Sequence, residues 1–325
     1  MPSLRRLAVV VFAAVFFGLG LAGLPAAPAA PFFFIQLTDP QFGMTTSDAS
    51  FAQETANLEF AVATANRLRP AFVIVTGDLV NKTGDAAQIA EYQRILGKLD
   101  PAIRAYSIPG NHDVGNEPTP ESLAAYTKRF GPDHFSFTVG SFVGIAIDSC
   151  VIHTPKNVKA EAEQQDQWLR AELAKARRDG ARHIVVFQHH PLFVSDAAEP
   201  GGYENIPPDA RARLLTLFAE VGVRHVFAGH YHQNALAREG DLQVVTTGPI
   251  GMPLRGAKSG MRIAVVSDAG IEHRYYDLGD LPSRVVLPSA STRNYGHDRV
   301  SAGVACDARS ALGPDPSAGS GSGPR

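Results

Sequence analysis

Short apolar runs alternate along this chain with longer stretches in which apolar residues recur every three or four positions. The first pattern marks buried strands and the second amphipathic helices. On this reading strands span 32–37, 72–76, 105–108, 142–147, 183–188 and 223–228. Helices are expected over 51–68, 86–99, 120–130, 161–178 and 208–221, and Leu58, Val62, Ala65 and Leu68 mark the apolar stripe of the first. Further on, 243–247, 262–266 and 272–276 read as strands joined by Gly-rich turns. Strands alternating with helices predict a layered α/β domain, with the last strands completing a second sheet.

Both ends depart from this pattern. Arg5 and Arg6 precede an apolar run of 18 residues, 7–24, and then a small-residue stretch that contains Ala27-Pro28-Ala29. Charged flank, apolar run and small-residue exit in that order form an export signal. Residues 1–30 are therefore expected to be a signal peptide and the protein to be secreted or periplasmic. The length of the run is also close to the ~17–25 residues that cross a bilayer, at the short end of that range, so an uncleaved anchor is the alternative, and the one route to a membrane that the sequence offers. A single catalytic domain is expected over 31–281. From Pro282 onward Ser, Ala, Gly, Pro and Asp dominate, and 282–325 is expected to be a disordered tail, too poor in apolar surface to order itself.

Composition narrows the chemistry mainly by exclusion. A net charge of −2 over 325 residues gives no basic surface that would indicate a nucleic-acid partner. Cys150 and Cys306 are far apart and make neither a disulfide framework nor a zinc knuckle. Nothing in the sequence bears on oligomeric state.

The informative feature is that polar clusters recur just after successive expected strands, where open α/β sheets place their binding crevices. They are Asp39-Pro40-Gln41, Gly77-Asp78, Gly110-Asn111-His112-Asp113, His189-His190-Pro191 and Gly229-His230-Tyr231-His232. An aspartate after a strand is by itself an ordinary helix cap, and Gly-Asp an ordinary turn. Together these clusters bring carboxylates, amide oxygens and imidazoles to one edge, a donor set suited to divalent metals. Gly77, Gly110 and Gly229 each precede a candidate ligand, where the chain is expected to turn sharply.

The ordered set resembles the calcineurin-like metallophosphoesterases, whose signature runs D-x-H, G-D, G-N-H-D/E, H-x-P and G-H-x-H. The resemblance extends over about residues 34–276. Within that family the chain is most similar to the calcineurin-like phosphoesterase domain-containing, Ser/Thr-phosphatase-like subfamily, through Asp39-Pro40-Gln41-Phe42-Gly43, Gly110 to Asn116, Phe187-Gln188-His189-His190-Pro191 and Gly229-His230-Tyr231-His232-Gln233-Asn234. The resemblance implies a four-layer α-β-β-α sandwich of two mixed sheets flanked by helices.

It also implies two divalent metal ions (Mn, Fe or Zn) and hydrolysis of a phosphate-ester substrate by a hydroxide that bridges them. Asp39, Gln41 and His232 would hold the first ion, Asn111, His189 and His230 the second, and Asp78 both. Gln41 stands where the wider family has histidine, and its neutral amide is a weaker ligand for transition metals. His190 lies one place past the ligand position and reads as a pocket-wall residue. His112 and Asp113 are the expected catalytic residues: His112 faces the scissile phosphate and protonates the leaving alkoxide, and either Asp113 or Asn81 orients it. The loop 193–206, with Tyr203, is placed to cover the site. Phosphate monoesters, phosphoserine and phosphothreonine among them, are the expected substrates. A phosphodiesterase is the alternative, and a non-catalytic metal-binding surface protein the remote one.

Overall fold

In the computed structural model, which describes residues 30–289, the strand Phe32–Leu37 (β1) shows how the layers arise. Side chains alternate across a strand. Phe33, Ile35 and Leu37 face a core shared with helices, whereas Phe34 points the other way into a second, largely aromatic core. Phe72–Thr76 (β2) repeats the division, with Val73 and Val75 on the first face and Phe72 and Ile74 on the second.

The first sheet comprises β1, β2, Arg104–Ile108 (β3), and the antiparallel pair Gly260–Ser267 (β10) and Gly270–Asp277 (β11), in the order β11-β10-β1-β2-β3. The second is built from Phe135–Val139 (β4), Phe142–Ala146 (β5), His183–Phe187 (β6), His225–Ala228 (β7), Ala235–Glu239 (β8) and Leu242–Thr246 (β9), in the order β4-β5-β6-β7-β9-β8. Parallel pairing runs through β1-β2-β3 and through β5-β6-β7-β9, and β10, β11, β4 and β8 pair antiparallel. Both sheets are mixed and flanked by helices, as expected.

The helices are Ala52–Leu68 (α1), Ala86–Leu96 (α2), Asn111–Val114 (α3), Pro120–Phe130 (α4), Ser149–His153 (α5), Lys159–Arg178 (α6) and Pro208–Val221 (α7). Leu58, Ala61, Val62 and Ala65 of α1 and Ile95 of α2 cover the first sheet, and Leu169 and Leu173 of α6 with Leu214 and Phe218 of α7 cover the second. Between the sheets Phe34 stacks on Phe72 with ring centroids 4.8 Å apart and meets Phe187 and Phe227 edge-on at 5.6 and 5.4 Å. Each such fully buried ring contributes roughly 1.5–3 kcal/mol.

The strands 135–139 and 235–239 and the one-turn helices 111–114 and 149–153 are absent from the sequence reading. Residues 1–29 and 290–325 lie outside the described residues, and with them all but the last residue of the expected signal segment and most of the expected tail. The part of that tail that is described is docked: Arg67 of α1 donates to the carbonyls of Pro282 and Ser283, and Val285 packs on the first core.

Candidate metal centre

Towards the C-terminal ends of the parallel strands the layer between the sheets changes from aromatic to polar. Gln36 Nε2 donates to Thr76 Oγ1 (3.0 Å) and to the carbonyl of Ala228 in the opposite sheet (3.1 Å), and Thr247 Oγ1 donates to Gln36 Oε1 (2.7 Å). These buried bonds tie the two sheets together directly beneath the loops that carry Asp39, Asp78, Asn111, His189, His230 and His232.

Those loops are forced into uncommon backbone conformations. Asp39, Gln41, Asp78, His230 and His232 all have positive φ, between 42° and 67°. Such residues cost energy unless the surroundings over-determine them, and they concentrate at functional sites. The glycines differ from the simple expectation of sharp turns. Gly77 has φ of +90°, but a Cβ at Gly110 would lie 2.2 Å from Asp78 Oδ1, and one at Gly229 would lie 1.8 Å from Thr38 Oγ1. At the latter two positions the requirement is close approach of one loop to another.

Two donor clusters share Asp78. One comprises Asp78, His189 and His230, the other Asp39, Asp78 and His232, and within each the donor atoms lie within 4.8 Å of one another. Asn111 Oδ1 completes the first at 3.1 Å from His189 Nε2, and His230 Nδ1 lies 3.1 Å from the same nitrogen. All of these side chains are buried.

Each histidine is fixed as a tautomer by a main-chain carbonyl. His189 Nδ1 donates to Thr76 O (2.8 Å), His230 Nε2 to Tyr203 O (2.8 Å) and His232 Nδ1 to Met252 O (2.6 Å). The other ring nitrogen of each faces the cluster, which is how metal-ligating histidines are oriented. Gln41 fits the same pattern. Its Nε2 donates to Asn81 Oδ1 (3.3 Å), while its buried Oε1 has no hydrogen-bond partner among the described residues. A buried, unpaired amide oxygen is costly unless something else satisfies it, and a hard cation does so.

Electrostatics point the same way. Burial opposes the charge on Asp78, but the His189 imidazole 3.3 Å away holds its carboxyl below the usual carboxylate range. Burial likewise opposes a charged His189, yet Asp78 and then Asp39 carry its pKa up to about 9. Asp39 and His232, 3.4 Å apart, form a second such pair, with Asp39 lowered and His232 raised against the burial of each. His230 is pushed down to about 4 by burial and by the charge of His189, which suits a neutral ligand. Two buried carboxylates, three imidazoles and the amide oxygens of Gln41 and Asn111 in one place are a cation site in their chemistry.

His112 is partly buried at the rim. Its main-chain N–H donates to Asp78 Oδ1 (2.9 Å) and its Nδ1 to the carbonyl of Asn81 (2.7 Å), leaving Nε2 unbonded among the described residues. The orienting group is therefore a main-chain carbonyl of Asn81. Asp113, expected as a catalytic residue beside His112, turns to the main chain instead, accepting from Gly110 N (2.8 Å), Leu79 N (3.0 Å) and Val80 N (3.2 Å). It clamps the loop of Asp78 to the loop of Asn111. His190 is held off the cluster by Ser149 Oγ, 2.9 Å from its Nδ1, with its ring beside that of His230.

A sequence model of the calcineurin-like phosphoesterases matches residues 34–234, which contain all of these side chains. The chain belongs to this family. The bovine (Bos taurus) protein named serine/threonine-protein phosphatase CPPED1 is 37% identical over 269 residues, covering 78% of this chain and 86% of that protein. The human (Homo sapiens) protein of the same name is 35% identical over 287 residues, covering 82% and 91%. Among solved structures, a purple acid phosphatase from yellow lupin seeds (Lupinus luteus) superposes with a TM-score of 0.59 at 14% identity, over 78% of this chain and 52% of that one, which shows the shared fold.

A calcineurin-like phosphoesterase with phosphatase relatives of this similarity is a metal-dependent phosphatase, and its substrate a phosphate ester. The contributors that sequence reasoning missed are mostly carbonyls: Thr76, Asn81, Tyr203 and Met252 fix the four imidazoles through main-chain oxygen. Thr38, whose hydroxyl donates to Asp39 Oδ2 (2.6 Å), is a missed side chain adjacent to a motif.

Proposed function

We propose that this chain is an exported phosphatase with a two-metal centre, hydrolysing phosphate monoesters, phosphoserine or phosphothreonine residues among them. The observation that carries the reading is the pair of donor clusters sharing Asp78, with one ring nitrogen of each cluster imidazole held by a main-chain carbonyl and the other turned inward. Asp39, Gln41, His232 and Asp78 would hold one divalent ion, and Asn111, His189, His230 and Asp78 the other; manganese, iron or zinc suits these donors. A bound pair of such ions supplies an activated water as nucleophile and neutralises charge on the phosphate.

The rest falls to the chain's own residues. His112, held by Asn81 O at Nδ1, offers Nε2 at the rim as the proton donor to the leaving alkoxide. Asp113 keeps the loops of Asp78 and His112 in register. Phosphoprotein substrates are supported by the names of the CPPED1 relatives, and export by the charged and apolar N-terminal pattern alone.

The test is hydrolysis by the manganese-loaded protein of an aryl phosphate monoester beside the matching diester, followed by a phosphopeptide panel. Preference for the monoester and release of phosphate from phosphoserine peptides are expected. Preference for the diester would replace the substrate assignment. Recovery of the protein in the cytosol with residues 1–30 intact would remove the export assignment.

A further inference from the structure

Tyr203 stands at the tip of the loop 193–206, outside the His230 ring, with ring centroids 4.7 Å apart and 52% of its surface exposed. Two of its atoms act on two different members of the same donor cluster. Its carbonyl accepts the Nε2 proton of His230, which turns Nδ1 towards His189. Its hydroxyl accepts from Asn111 Nδ2 at 2.9 Å, and the other proton of that amide goes to Asn116 Oδ1, also at 2.9 Å. With both amide protons engaged, Asn111 Oδ1 is directed inward at His189 Nε2.

The loop itself is braced rather than loose. The Glu199 carboxylate accepts from Val194 N (2.8 Å) and Ser195 N (2.9 Å) and from Asn205 Nδ2 (2.5 Å). Buried Arg211 of α7 donates to the carbonyls of Ala197, Glu199 and Ile206, and His153 Nε2 of α5 donates to Gly202 O at 3.0 Å, one residue before Tyr203. These bonds fix the main chain on both sides of Tyr203.

We infer that Tyr203 is a positioning residue for the Asp78-Asn111-His189-His230 half of the metal centre, orienting Asn111 through its hydroxyl and His230 through its carbonyl. The inference rests on the metal-centre reading above and adds to it that one half of the centre is completed from a separate loop. In the Asp39-Gln41-His232 half, His232 takes its tautomer from Met252, outside the loop.

The test is calorimetric titration of the full chain with Mn2+ alone, comparing Tyr203→Phe and Asn116→Ala with Asn111→Ala as the marker of the affected event. Tyr203→Phe keeps the ring on His230 and the carbonyl, so a packing role alone predicts no change. The inference predicts that one of two binding events, the one lost in Asn111→Ala, weakens about tenfold in Tyr203→Phe, the usual scale for removing an orienting partner. The other event and the thermal unfolding temperature should stay as they are, and Asn116→Ala should weaken the same event. Two unchanged events in Tyr203→Phe, or equal weakening of both, overturn the role of Tyr203 while leaving the metal centre standing. Failure of the unsubstituted protein to take up two ions overturns both.

Discussion

Gly229→Ala isolates what the glycines at the site do. A Cβ there would sit 1.8 Å from Thr38 Oγ1 and 2.6 Å from Asp39 Oδ2, roughly 1.5 Å inside ordinary contact for the first. Both neighbours are fully buried and bonded to each other, so neither can swing away into solvent. Overpacking of this kind costs about 1–3 kcal/mol, or a fall of about 2–12 °C in unfolding temperature for a domain of this size. The larger effect should be chemical, because Asp39 must move by about an ångström, and displacement on that scale costs roughly 10²-fold in rate. Gly222→Ala is the control. Its φ is +83° with nothing within 4 Å of the added Cβ, so it should lose about 1 kcal/mol to backbone strain and no activity. Calorimetric unfolding and steady-state hydrolysis of an aryl phosphate check both. If Gly229→Ala and Gly222→Ala lose stability alike and keep full activity, the close-approach account of Gly229 is wrong.

Three further outcomes are expected. His112→Ala should bind manganese as the unsubstituted protein does and turn over about 10²–10⁴ times more slowly; undiminished turnover would remove its role as proton donor. Asp78→Asn should fail to retain two ions, read by metal analysis after dialysis, since both clusters depend on that carboxylate. Partial burial works against the charge on Glu199, but the amides of Val194 and Ser195 hold its carboxyl down at about 2. Its contribution to loop order is therefore complete above the unfolded carboxylate pKa of roughly 4.3 and disappears as pH falls towards 2. Pepsin should cut within 193–206 increasingly between pH 4 and 2, and Glu199→Gln should be cut throughout that range. Equal resistance of the two proteins would show that the carboxylate does not brace the loop.

Short apolar runs located β1 and β2, which are buried on both faces, and helical periodicity located α4 and α7, each of which buries one face, at the residues where they occur. The strand 235–239 was illegible for the opposite reason. Ala-Leu-Ala-Arg-Glu is good helix material, and its extended form comes from pairing with β9 across the Gly240-Asp241 turn. The strand 135–139 does alternate Phe135, Phe137 and Val139, and the Gly140-Ser141 turn that follows was a usable signal. At the site, the clustering of Asp39, Asp78, Asn111 and the histidines was legible because residue type and position after a strand carry it. The direction of Asp113 and the carbonyls that orient the imidazoles were not, since every residue has a carbonyl and only the folded path decides which one faces a ring.

The most direct test of the two-metal account is a single titration: hydrolysis of an aryl phosphate monoester by metal-stripped protein as Mn2+ is added back in known equivalents. The account predicts negligible activity without metal and a rise that levels off at two ions per chain. Full activity at zero equivalents, a plateau at one, or two bound ions with no hydrolysis would each contradict it.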